Sequence, residues 1–180
     1  MRITARLTIA ALLASLGAVC CGGQEIEEYQ MKAAYLFNFI KFVEWPPQSF
    51  ASPSSPIVLC VLGEDPFGSA LQEAVRGKTA GDRTVVVRPV TDLAGAKRCH
   101  IVFVSAATWN HDRPALATLA GNPLLTVGES PGFATKGGII RFKLDGARLR
   151  FEINVEAAQQ ARLQISSKLL SLAEIIRTRE

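Results

Sequence analysis

The chain has 180 residues and a mass of 19.4 kDa, the size of one ordinary core rather than of an enzyme with separate substrate and cofactor halves. Hydrophobic residues make up 48% and charged residues 20%, with 14 Gly and 9 Pro, which excludes collagen-like, low-complexity and globally disordered chains. The net charge of +4 is mildly basic and falls short of the clustered excess that marks a nucleic-acid binder.

The N-terminus accounts for half of that charge. Arg2 and Arg6 precede the apolar run from Leu7 to Leu16, and small residues follow at Gly17, Ala18, Gly22 and Gly23. A basic stretch, a short apolar stretch and a small-residue cleavage zone are the order of a secretory signal peptide. The run is shorter than the roughly 20 residues of a membrane span. Residues 1–23 are therefore expected to be a cleaved signal peptide, and residues 24–180 a single soluble domain. A lipid-anchored form would need a small residue directly before the modified cysteine, and Val19 precedes Cys20. Export removes two arginines and no acids, leaving 18 basic against 16 acidic residues and a net charge of +2. It also removes Cys20 and Cys21, so Cys60 and Cys99 remain. In an oxidising compartment such a pair is a disulfide candidate; in the cytosol it is more simply two buried thiols.

Residues 27–43 lack Gly and Pro and place apolar groups at 35, 39 and 42 and at 36, 40 and 43, which predicts a helix with a wide apolar face. Trp45-Pro46-Pro47 ends it, because proline disfavours a helical residue before it and cannot donate to the ladder. From Ile57 the pattern alternates. Apolar runs at Ile57–Leu62, Thr84–Val90, His100–Ser105 and Pro123–Val127 predict strands buried on both faces, with helices at Phe67–Val75 and Thr108–Ala120 and a weaker helical signal at Asp92–Lys97. This is α/β order: a three-layer Rossmann-like domain with an N-terminal helix, a mixed sheet ending in a β-hairpin, and C-terminal helices.

The hairpin is predicted at Ile139–Leu144 and Ala147–Ile153 around a two-residue Asp145-Gly146 turn. That register sets Leu144 opposite Ala147, Phe142 opposite Leu149 and Ile140 opposite Phe151. On the other face it sets Lys143 against Arg148 and Arg141 against Arg150. Like charges directly opposite are unfavourable, so this ladder is expected either to be neutralised by solvent and acids such as Glu152 or to meet an acidic partner or anion. Asn154 caps a helix from Val155 to about Arg162, and a second helix with Leu169, Leu172 and Ile176 on one face closes the core.

Catalytic chemistry has little support. Ser105 ends a strand without a Gly-x-Ser-x-Gly elbow. Cys99 and His100, adjacent on a strand, point to opposite faces, and no second Cys/His cluster completes a tetrahedral metal site. The turn from Gly63 to Ser69 has the glycine spacing of a phosphate loop, but it lacks the lysine and places Glu64 and Asp65 where phosphate would be repelled. No enzyme activity, metal or cofactor is expected. By analogy with open α/β sheets, a small ligand would sit beyond the strand ends, near Gly63, Asp65, Phe67, Ser105 and Gly128. In the common strand order 2-1-3, Cys60 and Cys99 lie on neighbouring strands, so a bridge is topologically reasonable.

Met31 to Pro46, Cys60-Val61-Leu62-Gly63, Cys99 to Ser105, Leu125-Thr126-Val127, Gly137-Gly138, Phe151-Glu152-Ile153-Asn154 and Ile165-Ser166-Ser167 together resemble the YfiR-like periplasmic proteins. The resemblance runs from about Tyr29 to Ile176. It implies a periplasmic α/β protein, commonly a homodimer, that binds the periplasmic sensor domain of an inner-membrane diguanylate cyclase and holds it inactive. Cyclic-di-GMP and biofilm formation fall as a result. Cys60 and Cys99 correspond to a bridge of the family; a second pair found in the C-terminal half of some members has no counterpart here. The basic residues Arg141, Lys143, Arg148 and Arg150 are the candidate contacts for a partner or anion, and the partner is expected to be a membrane signalling protein rather than nucleic acid.

Overall fold

The computed structural model describes residues 21–177, and the predicted signal peptide falls almost wholly outside them. Helix α1 (Cys21–Phe42) leads into the two-residue strand β1 (Val43–Glu44) and, through a 3-10 turn at Pro47–Ser49, into β2 (Ile57–Leu62). Then come α2 (Ala70–Val75), β3 (Thr79–Ala80), β4 (Arg83–Val90), α3 (Leu93–Ala96), β5 (Ile101–Val104) and α4 (Ala106–Leu116). The chain continues through β6 (Leu125–Gly128), β7 (Ile140–Asp145), β8 (Arg148–Asn154), α5 (Val155–Gln160), β9 (Gln164–Ile165), α6 (Ser167–Leu170) and β10 (Glu174–Ile176).

One sheet of eight strands has the order β10-β8-β7-β6-β5-β2-β4-β3, and β1 pairs with β9 separately. From β4 through β2, β5 and β6 to β7 all pairings are parallel, and β7 turns back antiparallel onto β8. The central strands carry two cores because alternate residues face opposite ways. Ile57, Leu59 and Val61 of β2 join Leu36, Phe39 and Ile40 of α1 in one cluster. Val58, Cys60 and Leu62 join Trp109 and Leu116 of α4 in the other. The result is three layers of mixed α/β structure, as the alternating pattern predicts.

Two sequence expectations need correction. In the hairpin, Gly146 takes φ +59° and serves as the first central residue of the turn, as a type II′ turn requires, so the loop is Gly146-Ala147 rather than Asp145-Gly146. The register moves by two residues. The two faces keep their side chains, but Leu144 now meets Leu149, Phe142 meets Phe151, Arg141 meets Glu152 and Lys143 meets Arg150. The basic ladder loses one of its like-charge pairs to a cross-strand ion pair.

The second correction lies at the C-terminus, where α6 is a single turn capped by Ser166 and the chain then extends as β10 in parallel with β8. A helical face through Leu169, Leu172 and Ile176 does not form: Leu169 is buried, while Leu172 is 64% exposed. The edge of β8 offers unpaired backbone groups that Ile175 and Ile176, β-branched residues, satisfy better in a strand. The weak signal at Asp92–Lys97 is a real helical turn, with the Asp92 carboxylate accepting from Gly95 N at 2.6 Å.

Candidate functional site

The candidate crevice residues beyond the strand ends each meet a neighbour within the chain, with Gly63 and Asp65 exposed. Ser105 caps α4, accepting from Thr108 N at 3.3 Å and donating to Thr108 Oγ1 at 3.0 Å. These two side chains fill the space over Gly63, where an added Cβ would stand 2.0 Å from Thr108 Oγ1 and 2.6 Å from Ser105 Oγ. Phe133 lies against Gly128, leaving 2.5 Å for a Cβ there. Phe67 is buried between the rings of Tyr29 and Phe103, at 5.3 and 4.8 Å, and Asp65 accepts from Phe67 N at 2.8 Å. All five residues serve the local packing and turns of the sheet's upper edge.

The basic hairpin residues separate into two groups. Arg141 bonds Glu152 Oε1 at 3.0 Å, and its Nε is buried without a hydrogen-bond partner. Lys143 reaches both Glu152 and Glu174, and the hydrogen bond to the Glu174 carboxylate holds its ammonium above the usual lysine range. Arg148 and Arg150 are exposed and make no ion pair among the described residues. Leu144, Leu172 and Ile175 are exposed as well, at 53%, 64% and 41%, with Leu144 and Ile175 on the face of the sheet opposite to the two arginines. Leu144, Arg150, Phe151 and Leu172 line one open groove between the hairpin and the last strand.

A charged cluster inside the first helix has no counterpart in the sequence reading. Lys32 is buried and ion-paired with Glu28, one turn earlier, and with Glu129 after β6. Tyr29 donates to Glu129 Oε1 at 3.1 Å, and the Lys32 ammonium lies 4.3 Å from the Tyr29 ring centroid. Burial, then the Glu129 charge, pushes the Tyr29 hydroxyl well above the ordinary tyrosine range. The signal for this cluster is a lysine next to Ala33 on the apolar stripe, with an acid four residues before it.

Cys60 and Cys99 are joined as a disulfide, their Cα atoms 6.1 Å apart. β5 and β4 flank β2, so the first three core strands take the expected 2-1-3 order and Cys99 enters β5 beside Cys60. His100 points to the other face. Its ring stacks on Phe50 with centroids 4.5 Å apart, and its Nδ1 accepts from Val58 N at 3.0 Å. That acceptor role requires the neutral ring with the proton on Nε2, which lies 3.2 Å from Ser49 O. Trp45 Nε1 donates to the His100 carbonyl at 2.9 Å, so the end of the first helix is tied to the start of β5.

Burial lowers the His100 pKa, reinforced by the positive charge of Arg83 and opposed by the Ser49 hydrogen bond. The unfolded chain thus takes up this proton at a higher pH than the folded one. Stability contributed by the neutral ring is complete above about pH 6.5 and falls as the pH drops through the folded value, by at most about 1.4 kcal/mol per pH unit. Urea unfolding at pH 7.5 and 5.5 is expected to give a larger loss for the native chain than for His100→Gln. Equal losses would remove His100 as the source.

No helix among the described residues is long and apolar enough to cross a membrane. Two of the solved structures that share the fold illustrate the likeness. One is the ABC domain in complex with L-Trp from Streptococcus pneumonia, at 12% identity and a TM-score of 0.54 over 80% of this chain. The other is a conserved domain protein from Vibrio cholerae, at 11% identity and a TM-score of 0.54 over 84% of this chain. The chain spans 60% of the length of either. The family whose model matches is described as YfiR/HmsC-like. Residues 29–174, most of the sheet and the helices packed on it, match that family, and the chain belongs to it.

Proposed function

We propose that the chain is exported by its N-terminal signal, acts as a homodimer in the periplasm, and binds the periplasmic sensor domain of an inner-membrane diguanylate cyclase. Binding holds the cyclase inactive and lowers cyclic-di-GMP, and with it biofilm formation. The observation that carries this reading is the edge of the sheet at the hairpin and β10. There Leu144 and Leu172 share an open groove with Arg150, and Ile175 of β10 and Arg148 of β8 are exposed as well, the two arginines making no ion pair among the described residues. Exposed apolar side chains with charged residues at their margin, here Lys143, Asp145, Arg150 and Glu174, are the makings of a protein contact, with the apolar centre supplying affinity and the charges supplying steering. Family membership supplies the kind of partner.

The test uses the oxidised chain and the purified periplasmic domain of a diguanylate cyclase encoded beside it. Association is expected to weaken by about tenfold or more on Arg148→Glu with Arg150→Glu, and by a similar factor on Leu172→Asp. All three positions are exposed, so the fold should persist, and circular dichroism checks it. Absence of association under oxidising conditions would count against repression by contact. Association that ignores both changes would move the contact surface elsewhere.

A further inference from the structure

A cavity of about 100 Å³ opens between α4, the loop at 133–139 and α5, away from the hairpin edge. Its inner wall is apolar, built by Trp109, Leu116, Leu124, Phe133 and Ile139. Phe133 is held by backbone on both sides, since a Cβ on Gly128 or on Gly138 would come within 2.5 and 2.2 Å of its ring, and Trp109 packs on it at 4.8 Å between centroids. The wall is therefore preformed rather than collapsible. The space exists because small residues face it: Ala157 and Ala161 stand on the α5 side, and Ala117 and Ala120 on the other.

The mouth has one sign of charge. Arg113 and Lys136 both line it, are exposed, and make no ion pair among the described residues. They come from different elements, α4 and the 3-10 turn at Ala134–Lys136. No acid among the described residues lines the cavity: Asp112 is outside its wall, and Glu156 lines an adjoining open groove that Lys136 also borders. α4 is also broken at its rim: Asp112 has φ −116° and ψ 18°, and Pro114 follows inside the helix. That break lets Arg113 stand at the opening instead of following the regular helical path.

We propose that this cavity is a binding site for a small monocarboxylate with an apolar body, a short fatty acid or an arylacetate. The body enters between Trp109 and Phe133, and the carboxylate stays at the mouth with Arg113 and Lys136. The volume sets the size. A cavity of about 150 Å³ holds a benzene ring, so one of about 100 Å³, open at one side, takes a single ring or a chain of similar bulk whose polar end projects. A phosphate or a nucleotide would leave the apolar wall unmatched, and a neutral hydrocarbon would leave the two cations unused.

The probes are hexanoate and phenylacetate, each against its neutral amide, titrated into the oxidised full chain by calorimetry and followed by tryptophan emission. Trp109 is one of only two tryptophans, so occupancy should be visible. Saturable binding in the micromolar to millimolar range is expected for at least one carboxylate. Substituting Arg113→Gln with Lys136→Gln should weaken it by about tenfold and leave the amide unchanged. Ala157→Phe should abolish both; if that variant fails to fold, the two exposed charge substitutions still decide. The proposal is overturned if neither acid binds at millimolar concentration, if acid and amide bind equally, or if the double charge substitution has no effect. Hexanoate alone binding assigns an aliphatic body, and phenylacetate alone an aromatic one; either result supports the site.

Discussion

Replacing Cys60 and Cys99 together with alanine is expected to lower the free energy of unfolding by about 4 kcal/mol. The bridge spans a sequence separation of 39 residues, a segment that contains β4 and two helices. In the chain-entropy account, tying such a loop in the unfolded ensemble removes about 4 kcal/mol of disorder that the reduced chain retains. Both sulfurs are buried, at 0% and 7% residue exposure, so alanine leaves only a small cavity and the cross-link dominates. Guanidinium unfolding of the oxidised chain, the reduced chain and the double variant checks the figure. The last two should coincide within about 1 kcal/mol, and a total loss below that size would mean that the bridge contributes little.

Glu129→Ala is expected to cost about 3 kcal/mol, more than Lys32→Met. The Lys32 side chain is 4% exposed, whereas the Glu28 and Glu129 side chains are 26% and 19% exposed. Removing Glu129 strands a buried ammonium with one remaining partner and takes the acceptor from the Tyr29 hydroxyl; breaking a buried pair this way typically costs about 3–5 kcal/mol, and Glu28 keeps the value at the lower end. Removing the lysine leaves two carboxylates that can reach water, and Met fills the same space, so a cost of about 1 kcal/mol is expected. Urea unfolding at neutral pH compares the two. A larger loss for Lys32→Met would show that the ammonium, not the carboxylate, is the anchor.

The corrections to the hairpin and to the C-terminus have a common origin. Alternation in Ile140 to Ile153 specifies which side chains share a face, and those assignments hold. It does not specify which residue faces which, because a shift of two residues preserves both faces. Gly146 settles the register through its positive φ, and that choice decides whether Arg141 meets Arg150 or Glu152. At the C-terminus, Leu169, Leu172 and Ile176 have helical spacing, but a strand edge on β8 competes for that segment and wins. Local periodicity carries no information about an edge supplied by residues twenty positions away.

The candidate sites follow the same division. Sequence identifies Arg148 and Arg150 as basic residues on one strand face, and only the packing shows them without an ion pair among the described residues and brings Arg150 to a groove with Leu172, a residue that sequence alone assigns to the core. Lys32 and Glu129 are 97 positions apart, and their meeting depends on how α1 lies across the sheet. Arg113, Lys136 and Trp109 are unremarkable along the chain and become a rim and a wall only when α4 packs against the loop at 133–139.

By itself the sequence determined the α/β class, the strand succession and buried faces of the core, the placement of two cysteines on neighbouring strands, and the family resemblance. Each rests on short-range patterns of apolar and turn residues, which act through local backbone geometry and the burial of one face or two. Tertiary structure decided the hairpin register, the conversion of the last helix into an edge strand, the partners of the buried charges and the existence of the cavity. These depend on contacts between residues distant in sequence, whose energies appear only once the layers have met.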